Sequence, residues 1–227
     1  MVAGAIVLLA RDLRLALPAL FLNQLALALF VNQQDFVSPD LTVAGIALST
    51  TAVVKVITAL AVTAILSVTA LTFSREYNVH DLDEFSLAEL RRAARRAQLR
   101  RAITPQRLTD LVVPFWSLLL ALVVSLALPR LYPIGEFEVD VVWYWLGLTG
   151  ALVIVTAADL LKIGLGLLML VSAIDVLYTA LAPTVQVFPL TMLALLNIVL
   201  AVMVSYLSGL MYGRLKTLDL SELYRRL

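Results

Sequence analysis

Long apolar runs separated by short polar connections dominate the chain. A membrane-spanning helix needs about 20 predominantly apolar residues. Six runs of this kind predict six spans, at residues 15–31, within 43–73, and at 111–128, 141–158, 163–182 and 190–212. The apolar run 2–10 precedes them and reaches about half the length of a span. We interpret it as a truncated first helix, a re-entrant stub or an interfacial segment, and not as a signal peptide, because no basic residue precedes it.

The composition agrees with an all-α membrane protein and excludes several classes of function. Hydrophobic residues make up 62% of the 227 residues and charged residues 15%, against about 45–50% and 25% in soluble domains. This excludes a soluble globular enzyme and a disordered protein. The chain has no cysteine and a single histidine, His80, so thiolate or multi-histidine metal sites and cysteine nucleophiles are excluded. We find no catalytic motif, and expect no metal and no cofactor in this chain.

Basic residues are concentrated in alternate connections between the spans. The connection 32–42 holds Asp35 and Asp40 and no base, whereas the next connection holds eight arginines. Cytoplasmic loops carry the excess of lysine and arginine in membrane proteins. The alternation therefore predicts a multi-pass protein of the inner or cytoplasmic membrane with both termini in the cytoplasm.

The arginine-rich connection, residues 75–107, predicts a cytoplasmic amphipathic helix. Residues 86–89 read Ser-Leu-Ala-Glu, which is the pattern of a capping box. A cation-rich helix beside a span favours anionic lipid headgroups. Docking on a cytoplasmic partner subunit is the alternative, and nucleic-acid binding is disfavoured because spans tether both ends. His80 is interpreted as a solvated surface residue. The six arginines of this amphipathic helix that would contact lipid or a partner are Arg91, Arg92, Arg95, Arg96, Arg100 and Arg101.

Two charged residues, Lys55 and Asp175, fall inside predicted spans. Charges in hydrocarbon are costly, so they usually face a bundle interior or a water cavity and often mark an ion pathway. Both lie roughly 10–13 Å from the same membrane boundary at 1.5 Å per helical residue, so an ion pair between them is geometrically possible. Two interpretations of these charges stay open. They form a proton-relay element, or they have a structural role only, either as a pair or as two separate charges satisfied by neighbouring subunits.

Further polar and small residues lie in or beside the later spans. Asp159 and Lys162 are three residues apart at the turn between the fourth and fifth spans, so they share a helical face and are candidates for pairing or for an ion pathway. The alternative is a cytoplasmic turn that stops two spans. Gly164 and Gly166 follow, and small residues let helices approach closely in lipid. Interhelical hydrogen bonding explains the neutral polar residues within spans, Asn23, Gln24 and Asn197.

Four short motifs follow one another along the chain in an order that is similar to the order in a known family. They are Ala10-Arg-Asp-Leu-Arg14, Thr51-Ala-Val-Val-Lys55-Val, Leu160-Leu-Lys-Ile-Gly-Leu-Gly166 and Tyr212-Gly-Arg-Leu-Lys-Thr-Leu-Asp-Leu220. The chain resembles the hydrogenase-4 and formate hydrogenlyase membrane component E family over residues 10–220. Proteins of that family look like two copies of the small K-type membrane subunit of respiratory complex I, joined by an extra helix.

The resemblance implies a domain organisation. Residues 1–74 would form an N-terminal membrane repeat of the stub and two spans, and 75–107 the cytoplasmic loop. Residues 108–130 would be a linker span, 139–213 a C-terminal repeat of three spans, and 214–227 a cytoplasmic tail.

The resemblance also implies a function. The chain would be a non-catalytic membrane-arm subunit of a complex-I-like energy-converting hydrogenase or related oxidoreductase, coupling cytoplasmic redox chemistry to proton or sodium translocation. Its partners would be antiporter-like membrane subunits and a cytoplasmic redox arm that carries iron–sulfur clusters, with or without nickel–iron. The alternatives are a stand-alone six-span transporter or channel and a structural scaffold without ion conduction.

Individual residues match the family's pattern in part. Lys55 would match the lysine of the family's third helix, and Lys162 a basic residue before its sixth. The family's carboxylate in the sixth helix would fall near Val171, one turn before Asp175. A carboxylate expected in the last helix would fall near Leu196, beside a neutral asparagine.

Overall fold

The computed structural model describes the backbone of residues 1–10, 13–34, 41–43, 46–76, 109–157, 159–182 and 187–215. The predicted amphipathic helix with its six arginines, His80 and the part of the predicted cytoplasmic tail beyond residue 215 lie outside the described residues.

The described residues form seven helices and one short hairpin. The helices are α1 (Val2–Leu9), α2 (Leu13–Asn32), α3 (Thr50–Glu76), α4 (Thr109–Leu131), α5 (Phe137–Val155), α6 (Leu160–Leu181) and α7 (Val187–Leu215). The strands β1 (Leu41–Val43) and β2 (Ile46–Leu48) pair antiparallel between α2 and α3. The predicted all-α membrane fold is confirmed, and the hairpin is an addition that the apolar pattern did not predict.

Six of the helices, α2 to α7, are long and apolar enough to cross a membrane. They correspond one for one to the six predicted spans, so the chain is a multi-pass membrane protein. Helix α1 has eight residues, about 12 Å at 1.5 Å per residue, which is too short to cross a hydrocarbon core of about 30 Å. It nevertheless belongs to the bundle, because Val7 and Leu8 are fully buried.

The outward faces of α4 and α7 are apolar, as in proteins whose solvent is lipid. On α4 the buried positions Ala121, Ser125 and Pro129 recur every fourth residue, so one narrow stripe faces the bundle. Many other positions of α4 and α7 expose large side chains, among them Phe115, Trp116, Leu120, Val123, Phe188, Leu195, Met203 and Tyr206.

Along the chain the helices form two consecutive sets of three, α1 to α3 and α5 to α7, with α4 between them. Helix α2 packs against α1 and α3, and α6 packs against α5 and α7. The sets meet helix by helix, α1 on α5, α2 on α6 and α3 on α7, while α4 contacts α5 and α1. The division into membrane units at residues 1–74 and 139–213, joined by a linker span, stays a prediction. The internal repeat itself stays a prediction.

Glycines bring α6 into close contact with its neighbours, as the small-residue pattern predicted. A Cβ added at Gly166 would lie 2.8 Å from the carbonyl oxygen of Gly150 on α5, and one added at Gly150 would lie 2.9 Å from that of Gly166. A Cβ at Gly164 would overlap Val204 of α7. Without side chains at these points, helices in lipid gain close van der Waals packing.

Candidate ion-pair site between the helices

Lys55 of α3 and Asp175 of α6 form a buried salt bridge from the lysine Nζ to the carboxylate Oδ2. The two side chains are 6% and 11% exposed. The ion pair predicted from the depth of these two charges is therefore present. Its role in an ion pathway stays a prediction.

Helix α2 helps to hold α6 in the register that makes this pair. Gln24 Nε2 donates a hydrogen bond of 2.5 Å to Ser172 Oγ, and Ser172 precedes Asp175 by almost one helical turn. The hydroxyl of Ser172 in turn donates to the carbonyl oxygen of Leu168 at 2.7 Å. The interhelical hydrogen bond predicted for Gln24 is confirmed.

A small cavity opens beside the ion pair between α2, α3, α6 and α7. It offers about 20 Å³ to the centre of a water molecule, and one water needs about 10–15 Å³ on that measure. Its polar lining consists of Gln24, Lys55, Thr58, Asp175 and Asn197. Its apolar lining consists of Val54, Ala59, Val62, Leu190 and Ala194.

Two oxygen atoms of this lining are buried acceptors without a donor among the described residues: Asp175 Oδ1 and Asn197 Oδ1. Asn197 Nδ2 donates at 3.3 Å to the carbonyl oxygen of Leu193, one turn earlier on its own helix. The interhelical hydrogen bond predicted for Asn197 is thus not found in the described part of the chain. Asn23 also lacks one: its Nδ2 is buried without an acceptor there.

Asp159 and Lys162, the other two predicted ion-pathway candidates, lie at the opposite end of α6. Asp159 is the residue that immediately precedes the helix, and Lys162 Nζ donates at 3.3 Å to the carbonyl oxygen of Leu8. A cation at the carboxyl end of α1 is favoured by the helix dipole. Lys162 is about 20 Å along the helix axis from Asp175, so the structure does not bring these two candidates to the ion pair.

Asp140 is a buried acid that the apolar pattern assigned to the polar connection before the fourth span. The apolar pattern began the fourth span at residue 141, but α5 begins at Phe137 and Asp140 is 1% exposed within its first turn. Its carboxylate accepts hydrogen bonds from the backbone N–H of Ile134 at 2.9 Å and of Gly135 at 3.2 Å. The available signal was the cluster of acids that follows Gly135, namely Glu136, Glu138 and Asp140, since acids favour the first turn of a helix. The contacts fix the α4–α5 connection and bring no second charge to the ion pair.

No group of three or more His, Asp or Glu side chains suited to a metal ion occurs in the described ranges. The site therefore consists of one lysine, one aspartate and the neutral polar groups around a water-sized cavity. Chemically, this arrangement can hold a proton on either member of the pair and can accept hydrogen bonds at two further oxygens.

Comparison of the chain with known protein families, with curated proteins and with solved structures gives no match.

Proposed function

We propose that the chain is a non-catalytic membrane-arm subunit of a redox-driven, ion-translocating complex, similar to a complex-I-like hydrogenase or a related oxidoreductase. The observation that carries the proposal is the buried Lys55–Asp175 pair beside a polar cavity. The proposed location is the inner or cytoplasmic membrane, with both termini in the cytoplasm, which rests on the alternation of basic connections.

The free-energy cost of burying the Lys55–Asp175 ion pair argues for a role beyond stability. Two charges must be removed from water to bury this pair, and well-packed apolar residues of similar volume often serve a fold equally well or better. Ionisable groups at membrane depth are accordingly associated with ion and proton pathways. Transfer of one proton from Nζ of Lys55 to Oδ2 of Asp175 would convert the ion pair into an amine and a carboxylic acid. Such a step changes the charge of each group without changing the net charge of the site.

The expected partners follow from the same proposal. Antiporter-like membrane subunits would cover part of the exposed apolar surface of α4 and α7, and a cytoplasmic redox arm would carry the iron–sulfur clusters. The arginines of the segment 91–101 would contact anionic lipid or the cytoplasmic arm. The support for this assembly is the order of the four motifs along residues 10–220.

The first experiment is a pull-down of the tagged chain in mild detergent, with mass spectrometry of the retained proteins. Recovery of antiporter-like subunits with an iron–sulfur arm would support the proposal. Recovery of the chain alone, as a stable monomer or homo-oligomer, would contradict it and favour a stand-alone transporter or channel.

The second experiment separates a proton relay from a structural clamp. Ion translocation by the assembled complex is measured in membrane vesicles for Lys55→Met, Asp175→Asn and the double variant Lys55→Met/Asp175→Leu. The double variant leaves no unpaired charge, so it is expected to assemble while losing translocation. Each single variant is expected to lose translocation as well.

A structural scaffold is the second candidate function, because the ion pair joins α3 directly to α6 across the bundle. If the double variant assembles and translocates ions at the wild-type rate, the pair is a clamp and the scaffold becomes the better description.

A further inference from the structure

We propose that the cavity beside the ion pair is a binding site for one water molecule, which donates hydrogen bonds to Asp175 Oδ1 and Asn197 Oδ1. This goes beyond the proposed function, because a purely structural ion pair would hold the same water. It also makes α7 part of the site, since Asn197 would then be linked to Asp175 of α6.

Two buried oxygens of the cavity lining need hydrogen-bond donors. Asp175 and Asn197 are 8% and 6% exposed, both line the cavity, and each has one buried oxygen without a donor in the described part of the chain. Leaving a buried acceptor unpaired is costly, more so for a charged group. Water supplies two O–H donors, which matches the two acceptors.

The size of the cavity and the charge beside it favour water over a metal cation. The cavity has room for the centre of one water and little more. The Lys55 ammonium carries three N–H donors, of which one is used by Asp175 Oδ2, so a hydrogen remains for the oxygen of the water. A bound metal cation would lie beside this ammonium and be repelled. The ligand class is therefore a small neutral molecule that donates two hydrogen bonds.

The donors of the lining do not reach the two oxygens. Thr58 Oγ1 donates at 2.7 Å to the carbonyl oxygen of Val54, so its single hydrogen is already used within α3. Lys55 and Gln24 keep further N–H groups, but neither makes a hydrogen bond to Asp175 Oδ1 or to Asn197 Oδ1. An added donor is therefore the partner we infer for both oxygens.

The test uses the absence of cysteine from the chain, which makes any introduced cysteine the only thiol. The full chain in lipid nanodiscs is irradiated to produce hydroxyl radicals, which oxidise side chains beside bound water, and oxidation is read by mass spectrometry. Ala194→Cys places the thiol at the cavity. The matched control is Leu195→Cys, the next residue on α7, whose side chain is 53% exposed on the apolar surface.

We expect several-fold more oxidation at position 194 than at position 195. Adding Asn197→Leu to Ala194→Cys removes one acceptor and is expected to lower oxidation to the control level. Equal oxidation at the two positions, or unchanged oxidation after Asn197→Leu, would overturn the inference.

A second reporter guards against a variant that fails to fold. Thr58→Cys on α3 also lines the cavity, and its neighbour Ile57, 59% exposed, provides the control Ile57→Cys. The same excess of oxidation is expected at position 58, and its absence would count against the water site. Neither pair of measurements depends on ion translocation, so the water site and the proposed function can fail separately.

Discussion

The crossing of α5 and α6 at two glycines makes the substitution Gly166→Ala a sensitive perturbation. The added Cβ would lie 2.7 Å from Cγ1 of Ile154, 2.8 Å from the carbonyl oxygen of Gly150 and 3.1 Å from the backbone N of Ile154. Two of these three atoms belong to the backbone of α5. They cannot rotate away, so relief requires the two helices to separate.

The magnitude follows from two opposing terms. Overpacking of this kind costs about 1–3 kcal/mol, while alanine in place of glycine gains about 1 kcal/mol in helix propensity. Because the two backbone atoms cannot move aside, the overpacking cost falls in the upper part of that range, about 2–3 kcal/mol, so we expect a net loss of about 1–2 kcal/mol. At about 2–4 °C per kcal/mol for a chain of this size, the melting temperature falls by about 2–8 °C.

The assay is thermal unfolding of the purified chain in detergent, followed by tryptophan fluorescence, since Trp143 and Trp145 both lie on α5. The control is Gly209→Ala on α7, where an added Cβ has no neighbour within 4 Å. Only helix propensity acts there, so stability is unchanged or rises by up to about 1 kcal/mol. A Gly166→Ala chain that melts at or above the wild-type temperature would refute the close backbone contact, and so would an equal loss in the control.

Three further predictions concern other contacts. Lys55→Met leaves the Asp175 carboxylate buried without its partner and is expected to cost about 3–5 kcal/mol, whereas the double variant with Asp175→Leu recovers most of this loss in the same melts. A double variant no more stable than Lys55→Met would contradict the pairing. Asp140→Ala removes two backbone hydrogen bonds and is expected to cost about 1–3 kcal/mol, and Asp140→Asn less, because one acceptor oxygen remains. A Cβ at Gly147 would lie 3.9 Å from Cβ of Ala173, within the range of disulfides. Gly147→Cys/Ala173→Cys should therefore cross-link on mild oxidation, seen as a mobility shift in gel electrophoresis, and failure to do so would place α5 and α6 differently.

The fold was largely predictable because each span can be recognised from its own length and apolarity. An apolar run of about 20 residues has no stable place except the membrane or a large core, so six spans follow from local sequence alone. The boundaries were less predictable, since α5 begins at Phe137 and includes two acids in its first turn. Acids at a helix start are favoured by the dipole, but a criterion of continuous apolarity excludes them.

Within the candidate site, only the two charged residues could be predicted from the sequence. Lys55 and Asp175 stand out because a charge within a span must find a partner, and each is the other's simplest partner by depth. Asn197 gave a weaker signal, because a neutral amide is satisfied equally well by its own helix, by a neighbour or by water. Which of these occurs depends on the packing of α3, α6 and α7, and local sequence does not determine that packing.

The two halves of α6 differ in how tightly they pack, and this difference limits how the structure responds to a change in protonation of the ion pair. The first half is held by close contacts, of Gly164 with the side chain of Val204 and of Gly166 with the backbone of α5. The second half carries Asp175 beside a cavity with space for water. Sliding or rotation of α6 would break the glycine contacts, because close-packed helices have few alternative registers. A change in protonation at Asp175 is instead accommodated where space exists, by its side chain, by the Lys55 ammonium and by hydrogen bonds across the cavity. The fold thus confines any response of the ion pair to a few ångströms around it, whether the pair relays protons or only joins α3 to α6.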